Sequence, residues 1–243
     1  VLLLAHRGAS ADAPENTIAA FREAARQGAD GVELDAQICG SGEIVVCHDE
    51  RLNRLAHLDW EVRRTPWRKL QRAEVGTSLG FPPSKIPLLE EVVEVLPDHL
   101  LINVELKCET ADDHGLSAGV VELIGRLGIA ERVIVSSFNP LCLWRTAQLD
   151  RSIRRGFLID PDKSLVWQSG ILGPLLSNHS IHPPLRFCTA ERVKAWLKLG
   201  LRVACWTVDD VAAARALRES GVSYCITNRP GFLRGALRPE RTA

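Results

Sequence analysis

Two short stretches of this sequence set an imidazole beside a fixed charge. His6-Arg7-Gly8 ends the apolar run Leu2-Leu3-Leu4-Ala5, and His48-Asp49 ends Ile44-Val45-Val46-Cys47. An imidazole exchanges its proton near neutral pH, so two of them can take a proton from an attacking oxygen and return one to a leaving alcohol. Between them lie Glu33 and Asp35, two positions apart in Gly31-Val32-Glu33-Leu34-Asp35-Ala36-Gln37. A third acid, Glu105, occupies Asn103-Val104-Glu105-Leu106-Lys107. Residues two apart on a strand share a face. Like charges on one buried face repel and are costly to desolvate unless a cation joins them. Three hard carboxylates suit one divalent cation, Mg²⁺ or Ca²⁺, better than a soft metal. Arg7 and Lys107 add fixed positive charge for a phosphoryl group, one as a planar fork and the other as a point charge. Together these groups describe metal-assisted phosphodiester hydrolysis. The competing reading pairs the acids with Arg7 and Lys107 in a structural ring of ion pairs, and it leaves the two histidines without a task.

Two further residues are candidates to line such a site. Trp206, ending Val203-Ala204-Cys205-Trp206, offers an apolar face to a substrate or fills a core. His182 ends a short strand-like stretch before Pro183-Pro184, and lines the mouth of the site or serves the structure.

These side chains can meet only if strands far apart in the chain end on one rim. The spacing of apolar and punctuating residues predicts that they do. Pro14-Glu15-Asn16-Thr17 opens a helix with Asn16 as the expected N-cap, Ile18, Phe21, Ala24 and Ala25 at helical spacing, and Gly28 closing it. The turn Cys39-Gly40-Ser41-Gly42 is too short for a parallel crossover, so residues 43–49 return antiparallel as a hairpin. Residues from about 50 to 85, with Trp60, Trp67 and Pro82-Pro83, read as an irregular excursion with a short helix near Trp67–Arg72; Pro87 then starts the next helix. Strands are expected at Leu100–Lys107, Arg132–Ser137, Arg154–Ile159, Ser180–His182, Arg202–Trp206 and Ser223–Thr227, with helix starts near Asp113, Asn139, Thr189 and Asp209. Gly170, Gly173 and Pro174 break any helix between residues 160 and 184. Without the hairpin return, eight parallel strands remain. That number closes a (β/α)8 TIM barrel, whose chemistry gathers at the carboxyl ends of the strands. Residues 1–243 are thus expected to form a single domain with one insertion after the hairpin that follows strand 2.

Composition agrees with an ordinary soluble globular protein. The chain has 243 residues, 46% of them hydrophobic and 25% charged, with 30 cationic against 30 anionic side chains. Zero net charge gives no footprint for nucleic acid and no standing attraction to anionic lipid. No apolar run reaches membrane-spanning length, so no stable membrane insertion is expected. Seven cysteines, an odd number without a C-x-x-C pair, read as buried free thiols, which favour a reducing, cytoplasmic location. The chain starts at Val1, so a removed leader stays open, as does the oligomeric state, a homodimer included.

In this order and at these spacings, a set of motifs resembles the glycerophosphodiester phosphodiesterases of the bacterial, cytosolic type. The motifs are His6-Arg7-Gly8, Pro14-Glu15-Asn16-Thr17, Glu33-Leu34-Asp35, His48-Asp49, Ile86 to Glu91, Glu105-x-Lys107, Ser136-Ser137-Phe138, Trp206-Thr207-Val208 and Ile226-Thr227-Asn228. The resemblance implies a TIM barrel with the excursion as the family's small inserted subdomain. It also implies a divalent ion on Glu33, Asp35 and Glu105, His6 and His48 as general acid and base, and phosphate bound by Arg7 and Lys107. The implied reaction cleaves small glycerophosphodiesters, such as glycerophosphocholine or glycerophosphoethanolamine, to glycerol 3-phosphate and an alcohol. A lysophospholipase D-like or other lipid phosphodiesterase is the alternative on the same site, with a ramp from Leu55, Trp60 and Trp67, and a non-catalytic head-group binder is a more distant one. The sequence departs from the family pattern at Leu55 and the following Ala56-His57-Leu58-Asp59, and at Asp209 and Asn228, where Asn and Asp respectively are usual.

Overall fold

The computed structural model describes residues 1–237. In chain order its strands are β1 (Leu2–His6), β2 (Gly31–Ile38), β3 (Ile44–Val46), β4 (Leu101–Leu106), β5 (Val133–Ser137), β6 (Arg154–Leu158), β7 (Ser180–His182), β8 (Arg202–Cys205) and β9 (Tyr224–Thr227). The helices are α1 (Ile18–Arg26), α2 (Asn53–Ala56), α3 (Trp67–Leu70), α4 (Leu89–Val95), α5 (Leu116–Leu127), α6 (Pro140–Leu149), α7 (Leu165–Ser169), α8 (Gly173–Leu176), α9 (Ala190–Lys198), α10 (Val211–Glu219) and α11 (Pro230–Leu237). Eight strands run parallel in the order β1-β9-β8-β7-β6-β5-β4-β2, and pairing of β1 with β2 closes the ring. Helices lie between successive strands, and the fold is a TIM barrel. β3 stands outside the ring, antiparallel to β2, as the short turn requires.

Strand alternation divides the apolar residues into layers. Leu4, Ile134, Ala204, Tyr224 and Ile226 form one cluster, while their strand neighbours Leu3, Ala5, Val135, Val203 and Cys225 belong to two larger clusters that also hold helix residues. In α1, Ala20, Phe21 and Ala24 face the barrel. Burying Phe21 alone contributes about 1.5–3 kcal/mol. Towards the carboxyl ends of β2 and β4, polar side chains replace apolar ones: Glu33, Asp35, Asn103 and Glu105 are all buried. A core that gives up packing here does so to hold charge.

The start of α1 differs from expectation. Its N-cap is Thr17, whose side chain accepts from the Ala20 amide, while Asn16 sits in the left-handed region at φ 57°. Asn tolerates that conformation better than most residues, and its amide is thereby released for the site. Asp210 caps α10 instead of Asp209, and α4 starts at Leu89, with Glu91 accepting from the Leu88 amide. Gly170 ends the short α7 as the sequence indicates, whereas Gly173 and Pro174, expected to break any helix, instead open the short α8, where proline's missing amide costs nothing in the first turn.

Gly8 makes the first turn possible. Its φ is 83°, and a Cβ there would lie 2.6 Å from the backbone carbon of Ala20. A Gly8→Ala substitution costs about 1–3 kcal/mol from the backbone conformation alone, before the clash with α1 is added. Chemical denaturation reads this as a lowered midpoint, with loss of turnover as β1 and α1 separate.

The excursion between β3 and α4 carries its own apolar cluster. Leu52, Leu55, Val62, Leu70, Ala73, Val75 and Ile86 are buried there with Val45 of the hairpin and its flanking Cys39 and Cys47. Gly40 fixes the seat: its amide donates to the Thr65 carbonyl at 2.9 Å, and a Cβ would meet the Arg64 backbone at 2.8 Å.

Candidate active site

Strand register brings the candidate residues together. His6 of β1 is level with Glu33 of β2, and Asp35 is level with Glu105 of β4. Oxygens of Glu33, Asp35 and Glu105 lie within 4.8 Å of one another, and all three residues are buried. A cation bonded to oxygens at about 2.0–2.6 Å separates them by a similar span. Burial pushes Glu33 well above the usual carboxylate range, and the charges of Asp35 and Glu105 push the same way. Burial also raises Glu105 to about 7 against the pull of Lys107. Asp35 stays below its ordinary value, because Arg7, Lys107 and His48, with the Asn16 amide, outweigh its burial. Three crowded acids, two of them held towards the neutral form, fit a divalent cation, which would relieve both burial and repulsion. Among the described residues no other group of His, Cys, Asp and Glu has this spacing.

Fixed cations surround the acids. Arg7 leaves β1 in the left-handed region at φ 56°, with its amide donating to Glu33 Oε2 at 3.1 Å. Its Nε lies 3.2 Å from Asp35 Oδ2, and its Nη1 donates to Glu15 Oε1 at 2.9 Å. Lys107 Nζ donates to Glu105 Oε1 at 3.0 Å and stands 3.8 Å from Asp35 Oδ1.

Each histidine is held by its Nδ1. His48 Nδ1 donates to Asp49 Oδ1 at 2.8 Å, and the loop carrying it is latched by Gln37, whose Nε2 contacts the carbonyls of Cys47, His48 and Asp49 at 2.7–3.2 Å. His6 Nδ1 lies 2.7 Å from Asn228 Oδ1. Asn228 Nδ2 donates to Asp209 Oδ2 at 2.6 Å, so the amide oxygen faces His6 and the imidazole carries its hydrogen on Nδ1. Nε2 of His6 then presents its lone pair 3.9 Å from Glu33 Oε2. Burial lowers the pKa of both histidines. Arg7 adds to the effect at His6; Asp35 opposes it at His48.

Trp206 is half-buried at the rim. Its ring meets Phe138 edge-on at 5.8 Å, and its Nε1 donates to the His182 carbonyl at 2.8 Å. His182 does not line the mouth. Its side chain is completely buried, Nε2 pairs with Ser180 Oγ at 2.8 Å, and the ring fills the space left by Gly156. Burial lowers its pKa to about 3, so the ring is a neutral part of the barrel interior.

The sequence profile described as the Glycerophosphoryl diester phosphodiesterase family matches residues 6–232. The chain belongs to this family. A glycerophosphodiester phosphodiesterase of Caldanaerobacter subterraneus subsp. tengcongensis is 32% identical over 240 residues, 96% of each chain. A phosphodiesterase of Oleispira antarctica, solved in complex with the product sn-glycerol-3-phosphate, aligns with a TM-score of 0.85 at 28% identity, over 98% of this chain and 96% of that one. The glycerophosphodiester phosphodiesterase of Thermotoga maritima aligns with a TM-score of 0.79 at 29% identity, over 98% of both chains. Membership makes this protein a phosphoric diester hydrolase. Among its described residues no helix is long and apolar enough to cross a membrane.

Several residues of this phosphodiesterase act at the site without having been singled out for it from sequence. Asn16, read as a helix cap, donates to Asp35 Oδ2 at 2.7 Å. Gln37 follows Glu33 and Asp35 at the same two-residue spacing, which was the available signal. Asp209 and Asn228, two separate departures in sequence, touch one another. They form one unit behind His6. Asp209→Asn leaves the Asn228 amide free to turn its NH₂ towards His6, and Asn228→Asp sets two carboxylates 2.6 Å apart. Each single change should lower turnover, and the double exchange should recover most of it. A double-mutant cycle on kcat should give strong non-additivity, as for residues in one network.

Proposed function

We propose that this protein hydrolyses small glycerophosphodiesters, such as glycerophosphocholine or glycerophosphoethanolamine, to glycerol 3-phosphate and an alcohol. One observation carries the reading: two imidazoles, each held through Nδ1, stand around one cage of three buried carboxylates. Glu33, Asp35 and Glu105 would hold one divalent cation, Mg²⁺ or Ca²⁺. When bound, it supplies Lewis-acid polarisation of the phosphate oxygens. Arg7 and Lys107 bind and orient the phosphate, and Phe138 and Trp206 offer an apolar wall. His6 Nε2, with a neutral amide behind it, accepts the proton of the attacking oxygen. His48, backed by the Asp49 carboxylate that stabilises its imidazolium form, donates to the leaving alcohol.

The head group has room beside Lys107. A cavity of about 180 Å³ there is lined by Glu50, Glu61, Glu109 and Asp113 against Arg63 and Lys107. Its excess of carboxylates suits the cationic alcohols choline and ethanolamine. The lysophospholipid alternative lacks its ramp. Leu55 is buried, and Trp60 and Trp67 pack on the excursion's own cluster. Buried free thiols support the cytoplasmic reading; no disulfide occurs among the described residues.

The test is product analysis with Mg²⁺ or Ca²⁺ across glycerophosphocholine, glycerophosphoethanolamine and long-chain lysophosphatidylcholine. Release of glycerol 3-phosphate that stops on chelation is expected. Cleavage of the lysolipid alone would overturn the substrate assignment, and binding of intact diester without product would overturn the hydrolase.

A further inference from the structure

Arg54, on α2 of the excursion, touches neither the carboxylate cage nor an imidazole, yet it is connected to both. Its Nε and Nη2 donate to Asp49 Oδ2 and Oδ1 at 2.8 and 2.9 Å, and its Nη1 and Nη2 donate to Glu15 Oε2 and Oε1 at 2.9 and 2.8 Å. One planar guanidinium thus clasps two carboxylates, each in a two-bond fork. Those carboxylates have one further duty each. Asp49 holds His48 Nδ1, and Glu15 Oε1 accepts from Arg7 Nη1, the same Arg7 whose Nε faces Asp35.

We propose that Arg54 is a positioning residue that sets the His48 imidazole and the Arg7 guanidinium together, so that the seating of the excursion fixes both the proton carrier and the phosphate-binding cation. The inference rests on the roles given to His48 and Arg7 above. A double fork onto carboxylates only 13% and 20% exposed also supports folding, so the thermal midpoint is read beside the kinetics to separate the two roles. The excursion also contains a built-in control. Arg51, 50% exposed, pairs with Asp59 and Glu61, which belong to the excursion and, among the described residues, form no hydrogen bond or ion pair with His48 or Arg7.

The experiment compares Arg54→Met, Arg54→Lys and Arg51→Met with wild type, reading kcat, KM and thermal midpoint. Arg54→Met should lower kcat about 10- to 100-fold, the scale of a misplacement near 1 Å, and should raise KM as well. Arg54→Lys should keep the thermal midpoint yet fail to restore kcat, because a point charge cannot occupy two forks. Arg51→Met should leave kcat unchanged, and kcat alone is the control readout because its partner Glu61 lines the head-group cavity. Asp49→Asn should reproduce the kcat loss and Glu15→Gln the KM rise, and adding Arg54→Met to each should have little further effect on that parameter. Equal losses of kcat in Arg51→Met and Arg54→Met would overturn the proposal, as would an Arg54→Met enzyme within about twofold of wild type in both parameters. If Arg54→Met does not fold, the other two substitutions decide: one parameter lost in each supports the clasp, and identical losses in both overturn it. A wild type that releases no glycerol 3-phosphate sinks the functional reading instead, which keeps the two failures apart.

Discussion

A His48→Ala variant should turn over glycerophosphocholine about 10²–10⁴-fold more slowly than the parent, and a His6→Ala variant should suffer a loss of the same order. The two variants should separate when the leaving alcohol is changed. Nitrophenolate departs without being protonated, so a glycerophosphate nitrophenyl ester dispenses with a general acid but not with a general base. With that ester His48→Ala should recover most of its rate and His6→Ala should not. The asymmetry follows from what stands behind each ring: a carboxylate at 2.8 Å for His48 and a neutral amide oxygen at 2.7 Å for His6. Recovery of both variants, or of neither, would remove the division of labour between the histidines.

The second large effect concerns the cation. Chelation should abolish turnover, and it should also change how stability depends on pH. Folded Glu105 titrates at about 7, above its ordinary 4.5, because it is buried. Between those values the folded state holds a proton that the unfolded chain has released, so stability falls as pH rises through that window. Glu33, raised in the same direction, adds to the slope. The lowered histidines act the other way, since His6, His48 and His182 at about 3 add stability as pH rises towards 6.5. The cage is therefore read as the difference between the two conditions: the midpoint gained on adding a saturating divalent cation should grow from pH 5 to pH 8, as the ionised cage is favoured. A Glu33→Gln variant, which mimics the protonated acid, should lose part of the slope and keep its midpoint at high pH. It should also bind the cation at least about 10- to 100-fold more weakly, the scale for disturbing residues behind a ligand. Calorimetry in chelator and in Mg²⁺ or Ca²⁺ checks both statements. A gain from the cation that fails to grow with pH would contradict the electrostatics described for the cage.

The barrel was legible because its signals are local. Each parallel strand is a short apolar run bounded by turn residues, and the Cys39–Gly42 turn is short enough to exclude a parallel return. The acids were legible because two-residue spacing on a strand fixes their common face, which then needs only register to bring Glu105 alongside. What stayed hidden depends on distance through space. Nothing local ties Asp209 to Asn228, or Arg54 to Glu15, 39 positions away. Asn16 was misread because a helix cap and a left-handed turn draw on the same residue type. His182 stayed open between the two roles because position at a strand end does not say whether a ring leans outward or into the space above a glycine. The motif resemblance identified the family but not these second contacts, and they decide how the imidazoles are held.

The excursion has a nucleus of its own, from Leu52 to Ile86, is seated on the hairpin through Gly40, and reaches the working rim through the Arg54 clasp. Such an appendage can be redrawn in length and lining while the catalytic floor stays as it is. Preference for one alcohol over another can then drift independently of reaction chemistry, provided those few moorings are kept. A chimera carrying a relative's excursion, with Arg54 and Gly40 retained, should inherit the donor's taste in head groups and the recipient's way of cutting them.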